Sequence, residues 1–371
     1  MITVLDIVFY FFIAISIVQI VYYFAFLNFF SFKKPKRKKS HNIGLSVIIC
    51  AKNEAENLKQ NLPKILSQDY FDFEIVLIND SSSDDTLEVI EDFAEEHKNI
   101  KVVDVKSIEQ FWGNKKYALT LGIKASRNEF LIFTDADCGP ISNQWLKEMS
   151  SQFSNEKSIV LGFGGYKKIN YSFLNMLIRF ETLMTAVQYF SYANIGLPYM
   201  GVGRNLAYRK ELFFNKGGFM NHMSIKSGDD DLFVNQNGNK QNTNICFAKN
   251  SFTLSEPKRN LKDWILQKRR HISTSNYYKP IHKFLLSLFY CSQLMFWLLG
   301  IVLLVNLFNW KIVLGLFCFR ILLQWIAIGK SAHNLNSKDL IVLTPFLDIF
   351  LISFQLFIFS ANLISKPKHW K

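Results

Sequence analysis

Four stretches of this chain are too apolar for water and too long for ordinary core strands. Residues 7–32 and 284–310 carry no charge, 312–329 contain only Arg320, and 341–365 contain only Asp348. Each approaches the ~20 residues that cross a bilayer as a helix. Between the first stretch and the second, the composition is that of a globular protein. The sequence therefore predicts residues 1–40 as a membrane anchor with a basic juxtamembrane segment. Residues 41–280 follow as a globular domain, and 281–371 as a membrane region of about three hydrophobic helices. The first stretch lacks the basic start and small-residue cleavage site of a signal peptide, so it reads as a retained anchor.

Lys33-Lys34-Pro35-Lys36-Arg37-Lys38-Lys39 follows the anchor directly. Such a cluster stays cytoplasmic and attracts anionic headgroups, which puts the globular domain inside. Three later crossings would place Lys366, Lys368 and Lys371 outside, against the positive-inside tendency. One segment is therefore expected to be re-entrant or interfacial, with those bearing Arg320 or Asp348 the candidates. The net charge of +13 is concentrated at the juxtamembrane cluster and otherwise scattered. A membrane surface and phosphate-bearing ligands account for it better than nucleic acid does. Cys50, Cys138, Cys246, Cys291 and Cys318 have no paired metal spacing, which fits a reducing compartment without disulfides.

Residues 45–134 alternate strand and helix patterns. Apolar runs at 45–50, 74–78, 100–105 and 130–134 read as buried strands. Helical patterns fill 53–67, 81–96 and 115–125, with Asn53 expected as the N-cap of the first and the 81–85 run capping the second. Continuous apolar strands separated by amphipathic helices predict an α/β fold whose mostly parallel sheet is covered on both faces. Ligands bind such sheets at the strand C-termini.

There the chemistry collects. Leu131-Ile132-Phe133-Thr134-Asp135-Ala136-Asp137 is a buried strand ending in two carboxylates. A divalent cation gripping a phosphate is the simplest partner for such a pair, which makes Asp135 and Asp137 candidate ligands for Mg²⁺ or Mn²⁺. The plain reading is a solvated turn before Gly139-Pro140. The first strand ends near Ala51, Asn53 and Glu54, and the second near Asp80, a candidate partner for a base N–H. A turn or cap is the plain reading for Asp80. The chain has neither the Gly-x-Gly-x-x-Gly of dinucleotide folds nor the Gly-x-x-x-x-Gly-Lys of P-loops.

In the second half, residues 171–194 form a long helical pattern, read as core with an interfacial helix as the alternative. Gly201-Val202-Gly203-Arg204-Asn205 is a glycine-rich turn, either a plain turn or one that brings backbone close to a ligand. Ser227-Gly228-Asp229-Asp230-Asp231 packs three carboxylates together, so some should have raised pKa values. As a helix start, Asp231 could cap and Asp229 face a cleft; the plain reading is an acidic first turn favoured by the helix dipole. Gln267, Lys268, Arg269, Arg270 and His271 are either a clamp for a diphosphate or a positive-inside flank.

The ordered set Asn53-Glu54, Asp80-Ser81-Ser82, Gly113…Lys115…Ala118-Leu119, Asp135-Ala136-Asp137, Gly228-Asp229-Asp230-Asp231-Leu232 and Gln267…Arg270 resembles the membrane-associated inverting glycosyltransferases of family 2. The resemblance covers roughly 45–275. It implies a GT-A fold, a Rossmann-like nucleotide-diphospho-sugar domain, here flanked by transmembrane helices. It implies donor contacts from Ala51, Asn53, Glu54, Asp80, Lys115, Asp135, Gln267 and Arg270, with Asp135 and Asp137 holding the metal. The general base falls at Asp229, with Asp230 as competitor because Gly228 stands where many relatives show Glu. Gly203 and Asn205 fall on the acceptor side. His271 stands where the chain-building synthases carry Trp.

The implied activity moves a sugar from a nucleotide-sugar donor to a lipid-linked or glycan acceptor in cell-envelope glycan synthesis. The implied place is a bacterial inner membrane, with the catalytic domain cytoplasmic and no nucleic acid involved. Two alternatives remain open: a nucleotidyltransferase acting on sugar phosphates, and a catalytically inactive membrane scaffold.

Overall fold

The computed structural model describes residues 2–32, 43–106, 115–225 and 227–365. The basic cluster at 33–39, Gly113 and the lysines after Ser365 lie outside the described residues. The chain opens with the long apolar helix α1 (Val4–Phe32). The first half of the domain then follows as β1 (Leu45–Ala51), α2 (Ala55–Leu66), β2 (Phe73–Asp80), α3 (Thr86–Glu96), β3 (Ile100–Val105), α4 (Lys115–Ala125) and β4 (Phe130–Phe133).

The second half is less regular. It contains β5 (Cys138–Pro140), α5 (Trp145–Ser150), β6 (Ile159–Leu161), β7 (Gly164–Tyr166), the long α6 (Phe173–Asn194), β8 (Leu206–Arg209) and α7 (Lys210–Asn215). After these come α8 (Asp231–Asn237), β9 (Thr243–Ile245), β10 (Thr253–Ser255) and α9 (Leu261–Thr274). Three further apolar helices end the described chain: α10 (Pro280–Val305), α11 (Trp310–Asn334) and α12 (Thr344–Ile364).

The seven-stranded sheet has the order β3-β2-β1-β4-β8-β6-β9. Its first four strands are parallel, as the strand–helix alternation predicts, and β8 runs antiparallel to both β4 and β6. The whole sheet is therefore mixed. A three-stranded sheet, β5-β10-β7, lies beside the carboxyl end of β4. Side chains of β1 alternate between two cores. Leu45, Val47 and Ile49 pack with α2, α3 and α5, while Ile48 joins α4, α6 and α8 on the other face.

The core reading of the 171–194 pattern fits. Most of α6 is buried, and its charges are paired across to other elements: Arg179 grips Asp339 at 2.7 Å through both terminal nitrogens, and Glu181 meets Lys268 at 2.5 Å. Two capping expectations are corrected. Asn53 is not the N-cap of α2; Glu54 occupies that position without a side-chain cap, because Asn53 sits at φ 55°. The cap of α8 is Asp230, not Asp231, since Asp230 Oδ1 accepts the Asp231 N–H at 2.7 Å.

All four apolar helices are long and apolar enough to cross a membrane. Helices α1, α10 and α11 pack along one another. Their domain-side ends are marked by Phe29 of α1, which packs on Phe190 and Phe247, and by Asn334 of α11, which donates to the Phe30 carbonyl. Phe9 and Phe308 meet at the opposite end. All five cysteines are free.

Candidate active site

The carboxyl ends of β1, β2 and β4 meet beneath the loop preceding α8, and the sequence-predicted residues gather there unevenly. The β1–α2 and β2–α3 turns are laced together. Asn53 Oδ1 accepts the Ser83 N–H at 2.8 Å, and the Glu54 N–H donates to Thr86 Oγ1 at 2.8 Å. Glu54's carboxylate accepts from Asn57 at 2.5 Å. Asn53 and Glu54 thus build one wall, and Ala51 contributes backbone, its side chain being buried. Asp80 closes β2 beside this wall. Burial pushes its carboxyl up, with Lys52 and Lys115 pulling the other way.

Lys115, at the first described turn of α4, carries the central contact. Its ammonium lies 2.8 Å from Asp135 and 3.1 Å from Asp229. Burial would raise Asp135, yet the Lys115 charge overrides it and holds the carboxyl below its usual range. For Asp137 the balance falls the other way: burial and the Asp135 charge push it up, with Cys138 and the Arg204 charge opposing more weakly. Asp135, Asp137 and Cys138 could offer ligand atoms within 4.8 Å of one another. The donor chemistry fits a hard divalent ion held by the two carboxylates. Cys138 is the odd member. Its thiol faces Asp137 at 3.1 Å and Ser255 at 3.3 Å, and burial among carboxylates keeps it protonated.

The acidic run divides its labour. Gly228 takes φ 91°, and a Cβ there would meet Leu232 at 2.5 Å, so this turn requires glycine. Asp229 then points into a small cavity lined by Cys50, Lys115, Asp135, Gly203 and Tyr208. Both Asp230 oxygens accept backbone N–H groups, from Gly203 at 2.6 Å and from Asp231 at 2.7 Å. Burial, reinforced by Asp229 and Asp231, pushes Asp230 up to about 7. Asp231 turns away from the cavity and accepts from the Thr274 and Tyr278 hydroxyls, the latter at 2.7 Å.

From α9, Arg270 acts electrostatically on Asp229 and Asp135, while Gln267 lies outside the cavity lining. Gln267 donates to the Tyr166 hydroxyl at 3.3 Å. Burial pulls the Arg270 guanidinium down from its ordinary value, against the opposing pull of Asp229 and Asp135. Gly203 lines the cavity, but Asn205 does not. Asn205 is fully buried; it accepts from Trp145 at 3.0 Å and donates to the Phe163 and Ser251 carbonyls at 2.9 and 2.7 Å. Every hydrogen-bonding group of that amide is already used on the protein, so the expected acceptor contact gives way to a scaffolding one.

Two basic residues escaped the sequence reading. Arg204 lies 4.4 Å over the Tyr166 ring and donates to Ser255 at 3.1 Å and to the Gly165 carbonyl at 3.2 Å. It acts electrostatically on both Asp135 and Asp137. Lys116 is buried, and its ammonium donates to the carbonyls of His222, Ile225 and Ser227 at 2.7, 2.9 and 2.7 Å. The glycine turn drew attention to backbone at 201–205, and nothing local distinguishes Lys116 from Lys115.

Comparison with known proteins bears on this arrangement. The pattern of the family described as Glycosyl transferase family 2 matches residues 46–220. A poly-beta-1,6-N-acetyl-D-glucosamine synthase of Staphylococcus epidermidis is 36% identical over 124 residues, covering 33% of this chain and 29% of that protein. Glycosyltransferase AglE of Haloferax volcanii is 29% identical over 194 residues, covering 50% of this chain and 58% of the relative. The matches thus span less than a third of the first relative and somewhat under two thirds of the second. Among solved structures, a mannosyltransferase of Pyrobaculum calidifontis, in complex with GDP-Man and Mn²⁺, aligns with a TM-score of 0.57 at 16% identity. That alignment covers 90% of this chain and 99% of the other, a likeness of fold.

Proposed function

Residues 46–220 form a glycosyl transferase family 2 domain on a GT-A fold, and on that premise we propose that the protein is a membrane-bound inverting glycosyltransferase. It transfers a sugar from a nucleotide-diphosphate-sugar donor to a lipid-linked or glycan acceptor in envelope polysaccharide synthesis. The catalytic unit, residues 41–280, faces the cytoplasm of a bacterial cell, anchored by the apolar helices. One observation carries the reading. A carboxylate pair at the end of β4 stands opposite a third carboxylate, Asp229, with one lysine between them.

Such a transfer needs a base on the acceptor hydroxyl and positive charge on the leaving diphosphate. Asp135 and Asp137 would hold Mg²⁺ or Mn²⁺, which supplies Lewis-acid neutralisation of the diphosphate when bound. Arg204, Lys115 and Arg270 surround the same carboxylates and add fixed positive charge for the departing phosphates. The β1–α2 wall and Asp80 receive the nucleoside. We assign the base to Asp229 rather than Asp230. The charge neighbours of Asp229 are side chains in the cavity, whereas both Asp230 oxygens are held by backbone N–H groups. Asp230 then serves as the cap that aims Asp229 and Gly203 at one space.

The relatives support this class of chemistry: one is named for synthesis of a poly-N-acetylglucosamine and one structure holds GDP-mannose with Mn²⁺. The test is turnover by the purified full-length protein with a panel of nucleotide sugars, with Mg²⁺, with Mn²⁺ and with chelator. Metal-dependent release of a nucleoside diphosphate is the expected result. Release of pyrophosphate would identify a nucleotidyltransferase, and no release with any donor would identify a scaffold.

A further inference from the structure

Helix α12 has the length and composition of a membrane span, yet its contacts run the wrong way for one. Helices α1, α10 and α11 account for three passes, with Phe29 and Asn334 at the domain end and Phe9 and Phe308 at the other. The chain therefore leaves α11 on the domain side. There Asp339 pairs with Arg179 at 2.7 Å and with Lys168 at 3.3 Å, both in the catalytic domain.

A crossing helix of 21 residues would carry its last turn about 30 Å from that face. The last turn of α12 is instead bound to α9, the helix that brings Arg270 to the site. Arg269 donates to the Ala361 carbonyl at 3.1 Å, to Asn362 Oδ1 at 2.9 Å and to Ser365 Oγ at 2.8 Å. Asn362 returns a bond to the Arg269 carbonyl at 3.0 Å. The middle of the helix also touches the domain. Phe350 meets Phe173 edge to face at 6.1 Å, and Phe354 stacks on buried Trp264 at 4.1 Å. Only the opposite side dips into the bundle, where Asp348 accepts from Gln293 at 2.5 Å and pairs with Arg320 at 3.4 Å.

We propose that α12 does not cross the bilayer: it is a re-entrant strap with both ends on the catalytic side, hooked to the membrane bundle by Asp348 and to α9 by Arg269. Its apolar surface is divided between lipid and the domain's underside. A strap also removes the conflict that a fourth crossing would create with the positive-inside tendency of the sequence. This topology is independent of the reaction assigned above. Where that assignment holds, the strap is in addition what fixes the helix presenting Gln267 and Arg270.

The experiment uses the full-length protein in sealed vesicles and a membrane-impermeant maleimide, with labelled peptides read by mass spectrometry before and after permeabilisation. Three substitutions are compared: Lys59→Cys in the catalytic domain, Leu307→Cys between α10 and α11, and Lys371→Cys at the chain end. Lys371→Cys is expected to label from the same side as Lys59→Cys, with Leu307→Cys labelling from the other. Labelling of Lys371→Cys together with Leu307→Cys would make α12 a crossing and overturn the proposal. Labelling of Leu307→Cys together with Lys59→Cys would overturn the three-pass frame on which it rests. Neither readout depends on activity, so a failure here is distinct from a failure of the glycosyltransferase assignment.

Discussion

Lys115 and Asp229 form an ion pair at 3.1 Å across the active-site cavity, and the same ammonium reaches Asp135 at 2.8 Å. One lysine thus couples the carboxylate assigned to the base with the carboxylate assigned to the metal. Removing it leaves two partly buried anions facing each other, a costly arrangement. Lys115→Ala is expected to lower kcat/KM by at least ~10²-fold and to weaken nucleoside diphosphate binding, as measured by steady-state kinetics and calorimetry. Unchanged kinetics would show that the ion pair has no part in turnover.

Asp135→Ala and Asp137→Ala should each abolish turnover together with its metal dependence. Titration of nucleoside diphosphate with and without Mn²⁺ checks this. Metal-enhanced affinity that survives in both variants would remove them from the metal site.

Asp229→Asn should lower kcat by at least ~10²-fold with donor affinity nearly unchanged, because a base acts mainly in the transition state. Asp230→Asn should lose less, since an amide oxygen can still accept a backbone N–H at the helix cap. The reverse order would move the base to Asp230.

Asp230 also predicts a pH effect on stability. Its folded-state value, about 7, lies above the ordinary 3.8. The folded state therefore holds this proton more tightly than the unfolded state. That contribution is fully present below the ordinary value and is lost as pH rises through about 7. Melting temperatures measured from pH 5 to 8.5 should fall across this window in the wild type and fall less in Asp230→Asn. Parallel curves would place the titration elsewhere.

Arg270→Lys should lose much of the activity and Arg270→Ala nearly all of it, with membrane insertion intact. Lysine keeps the charge but not the planar fork that matches phosphate oxygens. Full turnover in a correctly inserted Arg270→Ala protein would reduce this residue to a membrane flank.

Lys116→Met should loosen the segment that leads into Asp229. Three carbonyls, those of His222, Ile225 and Ser227, would lose a common donor. Leaving even one such buried group unsatisfied costs about 1–3 kcal/mol. Hydrogen exchange should rise locally around 220–229, with a lower melting temperature and a reduced kcat. Unchanged protection there would refute the caging role.

Much of this protein is written in local pattern. Apolar runs of strand length set β1 to β4, because a strand buried on both faces leaves no room for polar side chains. The carboxylates at 80, 135 and 137 were legible because charge at the end of such a strand is conspicuous. The four apolar helices were legible from length alone. What tertiary structure decided are the relations between distant residues. Neighbouring lysines, Lys115 and Lys116, look alike in sequence, yet one bridges two carboxylates and the other cages three carbonyls. Among the three adjacent aspartates, packing alone separates Asp229 in the cavity from Asp230 at the cap and Asp231 under Thr274 and Tyr278. Asn205 looked like ligand-facing polarity and became the buried partner of Trp145. Hydropathy likewise cannot tell a strap from a span, because apolar surface leaves water equally well against lipid or against protein. The contacts around α12 distinguish the two: Asp339 just before it holds Arg179, Phe354 in its middle stacks on Trp264, and Asn362 in its last turn holds Arg269.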